Sequence, residues 1–400
     1  MQFTELDLDP RLLKNLRAMH FTHPTPIQEK TIPAALEGRD ILGSAETGTG
    51  KTAAFLLPLL DYLLSQGKAH TPRGLVLVPT RELALQVADH GAQLARGLPI
   101  RFVTIYGGVP IGPQIDTLRR GVDVVIATPG RLLDVMQRGH ISFNRLETLV
   151  LDEGDRMLDI GFLPDIRRIV RQLPRDRQTM LFSATIAPIY LLSQEVTQDP
   201  LRVEVETAAT PEAIEQTFYP VLEHRKMDVL EHLLSGKDLH SVLVFVRTKR
   251  RVDQVAWKLK RQGVNAAVIH GDCSQSQRIQ SLEAFRRGKI RVLVATDVAA
   301  RGIDVTGISH VVNYDLPMKA EDYIHRIGRT GRADAAGTAW TLVAPQDEGM
   351  ADRIQRILNR KIERRTLDGV DTGRLVLAPA KVAASTRNGW TSPSRRRKRF

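Results

Sequence analysis

Cysteine is almost absent from this chain: Cys273 is the only one in 400 residues. No internal disulfide can form, and a reducing, cytoplasmic setting is expected. Cys273 itself reads as a small filler in a polar loop. Aromatic side chains make up only 5% of the sequence. No uninterrupted apolar run approaches the length of a membrane span, and Met1-Gln2-Phe3-Thr4-Glu5 is not a signal peptide. No membrane partner is therefore expected. The chain is too long for one core, and 42% hydrophobic with 26% charged residues fits a globular protein of two domains.

Acidic residues are outnumbered, giving a net charge of +12, but the excess is uneven. Lys381, Arg387, Arg395, Arg396, Arg397, Lys398 and Arg399 place seven positive charges in the last twenty residues, with no Asp or Glu among them. The remaining chain is only mildly basic. The tail has the composition of a disordered arm for phosphate backbones.

Residues 45–52 read Ala-Glu-Thr-Gly-Thr-Gly-Lys-Thr, between the short apolar run Ile41-Leu42 and a helix opening at Thr52-Ala53-Ala54-Phe55. Gly48 and Gly50 let the backbone curl so that its N–H groups point inward, and the helix N-terminus adds its partial positive charge. Lys51 would reach the β- and γ-phosphates of a triphosphate, and the Thr52 hydroxyl would hold Mg²⁺. Ala45 stands where the strict pattern begins with Gly.

Short Val-, Leu- and Ile-rich runs alternate with helical stretches at 75–78, 122–126, 149–151 and 180–182. The rhythm lapses near 206–215, which is small, polar and contains Pro211, and restarts at 241–246, 266–269, 292–295 and 310–313. Two tandem α/β domains with parallel sheets follow from this. The run Thr148-Leu149-Val150-Leu151 delivers Asp152-Glu153-Gly154-Asp155 at its C-terminal end, the edge where open parallel sheets bind ligands. Asp152 would hold Mg²⁺ through water and Glu153 would orient or deprotonate an attacking water.

The motifs, taken in order, resemble those of the DEAD-box ATP-dependent RNA helicases of superfamily 2. They are Phe21 with Pro26-Ile27-Gln28, Ala45–Thr52, Pro79-Thr80-Arg81-Glu82-Leu83, Gly107-Gly108, Thr128-Pro129-Gly130-Arg131, Asp152–Asp155 and Ser183-Ala184-Thr185. The second half adds Val244–Thr248, His270-Gly271 with Gln275 and Arg278, Ala295–Asp304 and His325–Arg332. The wording of residues 24–28 and the short tail are similar to the bacterial RhlE-type branch.

The resemblance implies two tandem RecA-like domains: an adenine-recognition region at 1–30, an ATP-binding domain at 31–205, a linker at 206–215, a C-terminal helicase domain at 216–365 and a basic disordered tail at 366–400. It implies RNA-stimulated ATP hydrolysis with local, non-processive unwinding of short duplexes or remodelling of RNA–protein complexes. Ribosomal or RNA-decay proteins would be further partners. By the same resemblance Gln28 reads the adenine edge, Phe21 stacks on its face, and Ala45, Glu46, Thr47, Gly48, Thr49, Gly50, Lys51 and Thr52 surround the phosphates. Asp304 is a ribose or closure contact. Arg329 and Arg332 are arginine fingers, which one helical turn would place on a common face. Ser183, Thr185 and Asp155, with His325, would couple hydrolysis to RNA. Arg81, Gly108, Thr128, Arg131, Thr296 and Arg301 would hold the RNA backbone without reading bases. His20 stands where the family usually has Gly, and Gly154 where it usually has Ala; the second exchange predicts a slightly looser strand end.

Overall fold

The computed structural model describes residues 1–45, 48–67, 71–205, 214–236, 239–300, 308–331, 337–367, 369–370 and 372, without the side chains of Gln275, Val298 and Ala300. Glu46, Thr47, Arg301, Asp304 and Arg332, together with 206–213 and 373–400, lie outside the described residues.

Among the described residues, fourteen strands form two sheets. The first contains β1 (Ile41–Ser44), β2 (Gly74–Leu77), β3 (Phe102–Ile105), β4 (Val124–Ala127), β5 (Thr148–Leu151), β6 (Gln178–Ser183) and β7 (Leu201–Glu204), in the order β3-β4-β2-β5-β6-β1-β7. The second contains β8 (Ile214–Pro220), β9 (Val242–Phe245), β10 (Ala266–Ile269), β11 (Val292–Ala295), β12 (His310–Asn313), β13 (Gly337–Val343) and β14 (Glu363–Arg364), in the order β10-β11-β9-β12-β13-β8-β14. Every neighbouring pair is parallel. The second order repeats the first strand for strand, so the chain carries one topology twice.

Burial on both faces explains the continuous apolar runs. In the first sheet Val76, Ile126, Val150 and Met180 enter one core, and Leu75, Val125, Leu149 and Leu181 enter the other. In the second, Val242, Val244 and Val292 face one core while Leu243, Phe245 and Leu293 face its opposite. Polar loops therefore gather where the strands end, and the motifs that follow β1 to β6 and β9 to β11 leave their sheets at that C-terminal edge.

Two boundaries differ from the sequence expectation. Ile214 and Glu215 already belong to β8, paired with Gly337 and Thr338 of β13. Leu367 and Val370 pack against the second domain's core, and the Thr372 carbonyl accepts from the Leu222 amide at 3.0 Å. Both segments were too short to show a period in sequence, yet each is held by β8 or its exit. Among the described residues no helix is long and apolar enough to cross a membrane.

Candidate active site

The phosphate loop leaves β1 tied to the end of β6. The Ser44 hydroxyl donates to the Ala184 carbonyl at 3.2 Å, and the Ala45 amide to the Ser183 carbonyl at 3.0 Å. Gly48 and Gly50 take left-handed backbone angles, φ 92° and 94°, which side chains disfavour. Gly50 opens the helix Lys51–Ser65, with Thr52 half-buried on its first turn. Lys51 is only 5% exposed and donates from Nζ to the Ala45 carbonyl at 2.8 Å, which holds the ammonium at the loop.

Asp152 and Glu153 follow β5. Asp152 is buried, and burial pushes its carboxyl up to about 6; the nearby Lys51 ammonium opposes the rise and Glu153 adds to it. The Glu153 amide donates to Asp152 Oδ1 at 2.9 Å. Glu153 itself has φ 52°, a left-handed conformation that costs a non-glycine residue about 1–2 kcal/mol. This strain turns its side chain into a cleft shared with Lys51, Asp155, His325 and Arg329. Glu153 Oε2 is buried there without a hydrogen-bond partner among the described residues.

The expected coupling residues come together. The Asp155 amide donates to Ser183 Oγ at 3.2 Å, and the Thr185 hydroxyl donates to Asp155 Oδ2 at 3.3 Å. His325 and Arg329 close the cleft from the second domain. The helix Ala320–Ile327 ends before Arg329: Gly328 caps the helix and a turn carries Arg329, while Arg332 lies outside the described residues. Gly154 likewise lies at the start of the helix Gly154–Ile160 and not at a strand end. A Cβ there would come within 3.0 Å of Leu181 Cδ1 and 3.2 Å of Ile189 Cγ2, so an alanine would need those side chains to give by a few tenths of an ångström.

The adenine candidates flank the loop. Gln28 Oε1 accepts from the Thr25 amide at 2.9 Å and Nε2 donates to the Gly50 carbonyl at 3.0 Å. One acceptor lone pair and one N–H of that amide are left over, a set that matches an adenine edge. Phe21 meets His90 edge-on, with ring centroids 6.1 Å apart. It borders a groove of about 750 Å³ shared with Thr52, Leu83 and Arg286 of the second domain. His20 has φ 61°, a left-handed angle that glycine adopts without strain.

The first domain's backbone-contact candidates sit on neighbouring loops. Gly108 has φ 79°, and a Cβ there would overlap the Arg81 guanidinium. Thr128 is buried at the end of β4, its amide donating to the Ile105 carbonyl at 2.9 Å, and Arg131 donates through both Nη atoms to the Val109 carbonyl. Thr296 occupies the matching edge of the second sheet, after β11.

Two arrangements were not legible in the sequence. Arg278 Nη2 lies 3.1 Å from Glu82 Oε1, a buried ion pair between the domains, and the same Nη2 reaches the Ala299 carbonyl at 3.4 Å. Arg326, 2% exposed, forks onto Asp297 at 2.5 and 2.7 Å, and its Nη1 donates to Asn313 Oδ1 and the Asp315 carbonyl. That fork fixes the helix leading to Arg329 against the segment following Thr296. Both motifs contained these residues, but pairing between distant segments leaves no local signal.

Two RecA-like sheets facing a phosphate-loop cleft, with a buried acidic pair on one side and an arginine on the other, define a two-domain nucleotide-dependent ATPase. The family model "DEAD/DEAH box helicase" matches residues 25–191, and "Helicase conserved C-terminal domain" matches 225–334. The ATP-dependent RNA helicase CshA of Listeria monocytogenes is 43% identical over 386 residues, covering 95% of this chain and 74% of the relative. The Geobacillus kaustophilus CshA is 43% identical, covering 95% and 82%. Among solved structures, S. cerevisiae Dbp5 bound to RNA and ADP BeF3 is similar with TM-score 0.84 at 34% identity, covering 92% of this chain and 96% of that one. A point-substituted form of that yeast protein also gives 0.84 when bound to RNA and ADP BeF3, but 0.64 when bound to nup159, a gle1 variant, ip6 and adp. The chain belongs to the DEAD-box helicase family.

Proposed function

We propose that this chain hydrolyses ATP in the cleft between its two domains and uses closure of that cleft to hold and locally separate RNA strands. It is an ATP-dependent RNA helicase, an RNA-dependent ATPase. The observation that carries the site assignment is Glu153 Oε2, a buried carboxylate oxygen with no partner among the described residues, held by a strained backbone in a cleft with Lys51 and Arg329. A buried acceptor left open costs about 1–3 kcal/mol unless something fills it. An attacking water fits that role, with Glu153 taking its proton.

Lys51 would hold the β- and γ-phosphates. Arg329, with Arg332, would neutralise charge on the transferring phosphoryl group, and Asp304 would contact the ribose. Thr52 and Asp152 offer hard oxygen donors of the kind that hold Mg²⁺. Mg²⁺ held by Thr52 and Asp152 would supply positive charge that offsets the charge of the phosphate oxygens. Phe21 and Gln28 would select adenine.

Ser183, Thr185, Asp155 and His325 would relay closure to the RNA face formed by Arg81, Gly108, Thr128, Arg131, Thr296 and Arg301. The likeness to the RNA-bound yeast structure, higher than to the form bound to nup159 and gle1, supports a closed arrangement of the domains here. A first domain at 31–205, a second at 216–365 extended by Ile214, Glu215 and the segment to Thr372, local non-processive unwinding, a cytoplasmic site of action and ribosomal or RNA-decay partners belong to the same proposal. The RhlE-type branch rests on the wording of residues 24–28 and the short tail.

The test is Glu153→Gln. ATP binding should persist while hydrolysis falls by about a hundredfold or more, the scale for losing a general base. Turnover near that of the unaltered protein would overturn the assignment.

A further inference from the structure

Outside the helicase motifs, one helix combines positive charge with an exposed aromatic ring. The helix Lys249–Arg261 reads Lys-Arg-Arg-Val-Asp-Gln-Val-Ala-Trp-Lys-Leu-Lys-Arg, with six basic residues and one acidic. Val252, Val255, Ala256 and Leu259 bury one stripe in the core. The opposite side exposes Arg250, Gln254, Trp257, Lys258 and Arg261. Trp257 is 57% exposed, an expensive position for the largest apolar side chain. Arg261 lies over its ring at 4.7 Å from the centroid. The side chain also borders an open groove of about 570 Å³ formed with Asp253, Gln254 and Lys258. The lone carboxylate, Asp253, lies 3.0 Å from His270 Nε2.

The helix starts at the RNA face. Ala295 pairs with Phe245 on one side and Ile269 on the other, so the loops holding Thr296, Arg247 and His270 emerge abreast. From Thr248 the helix runs away from that edge, and Trp257 stands about 13 Å along it. The root of the basic tail is close by: Thr372 is bonded to Leu222, and the adjoining Glu223 pairs with Arg251 of this helix.

We propose that the exposed face of Lys249–Arg261 is an accessory single-stranded RNA site, on which strand leaving the motif-bound segment continues and stacks one base on Trp257. Arg250, Lys258 and Arg261 follow the phosphates, and the stack is sequence-tolerant because every base presents a π-face. The scarcity of aromatics in the motifs is consistent with this: base stacking is added outside them and does not select sequence. The inference rests on the RNA reading above and assigns it a longer footprint.

The test measures affinity for two single-stranded RNAs, one of roughly six and one of roughly sixteen nucleotides, in the presence of a non-hydrolysable ATP analogue. The full chain should bind the longer strand about tenfold more tightly, Trp257→Ala should remove most of that margin, and Trp257→Phe should keep most of it. Lys258→Gln with Arg261→Gln should lower the salt slope for the longer strand by about 1. An undiminished margin in Trp257→Ala, or equal affinities in the unaltered chain, overturns the accessory site and leaves the RNA reading standing. Failure to bind either strand sinks the RNA reading itself. A surface made instead for an acidic protein segment would show the undiminished margin.

Discussion

Asp152→Asn removes a charge that burial disfavours, and the size of the effect follows from its environment. Burial raises the Asp152 carboxyl from 3.8 to about 6. A pKa raised in the folded state means that the native protein holds the proton more tightly than the unfolded chain. Below the unfolded value both states are protonated and nothing is lost. As pH rises towards 6 the unfolded chain ionises first and stability falls; above 6 the full penalty stays. At about 1.4 kcal/mol per unit, the difference between about pH 4 and about pH 7.5 amounts to roughly 2 kcal/mol. The variant retains a side-chain oxygen for the Glu153 amide and lacks the titration. Constant costs of the substitution cancel when only its pH dependence is read. Without Mg²⁺ or nucleotide, the variant should gain about 2 kcal/mol relative to the unaltered chain between those two pH values. Urea titrations with hydrogen exchange resolved on β5 and β6 report the relevant domain. A relative stability that is flat, or that falls with pH, would refute the account of this site.

Three further outcomes follow from named contacts. Arg278→Ala leaves Glu82 buried and alone only when the domains close, so RNA-stimulated turnover should drop by about tenfold or more; an unchanged rate would show that the pair does not contribute to closure. His20→Gly relieves a left-handed non-glycine backbone and should stabilise the chain by about 0.5–1 kcal/mol in a denaturant melt, with destabilisation contradicting this. Deleting 381–400 removes seven basic residues and should flatten the salt dependence of RNA affinity by up to about 0.7 per phosphate no longer neutralised, whereas an unchanged slope makes the tail merely solubilising.

The parts of the molecule that were legible in sequence are those with a local cause. Strands β10, β11 and β12 matched the expected bounds because runs such as Val292-Leu293-Val294-Ala295 are buried on both faces. β7 and β14 sit at sheet edges with half or more of their residues exposed, and neither shows such a run. β13 is central, yet Gly337, Thr338, Trp340 and Thr341 dilute its apolar pattern. The phosphate loop and the Asp152-Glu153 pair were visible because each is contiguous. The left-handed Glu153 was not: its conformation is imposed by surrounding structure, and the residue type gives no warning of it. Nor was the Asp297–Arg326 fork, whose partners belong to different strands' exits. His20 and Gly154 were visible as departures, but their meaning depended on a backbone angle and on the neighbours Leu181 and Ile189.

The central claim is that closure on RNA completes the ATPase cleft. It is tested most directly by steady-state ATP hydrolysis of the full chain with no nucleic acid, with single-stranded RNA, and with DNA of the same sequence. RNA should raise the turnover strongly, DNA should raise it little, and the RNA response should disappear in Glu153→Gln. Hydrolysis that is equally fast with DNA, or unaffected by RNA, would contradict the account.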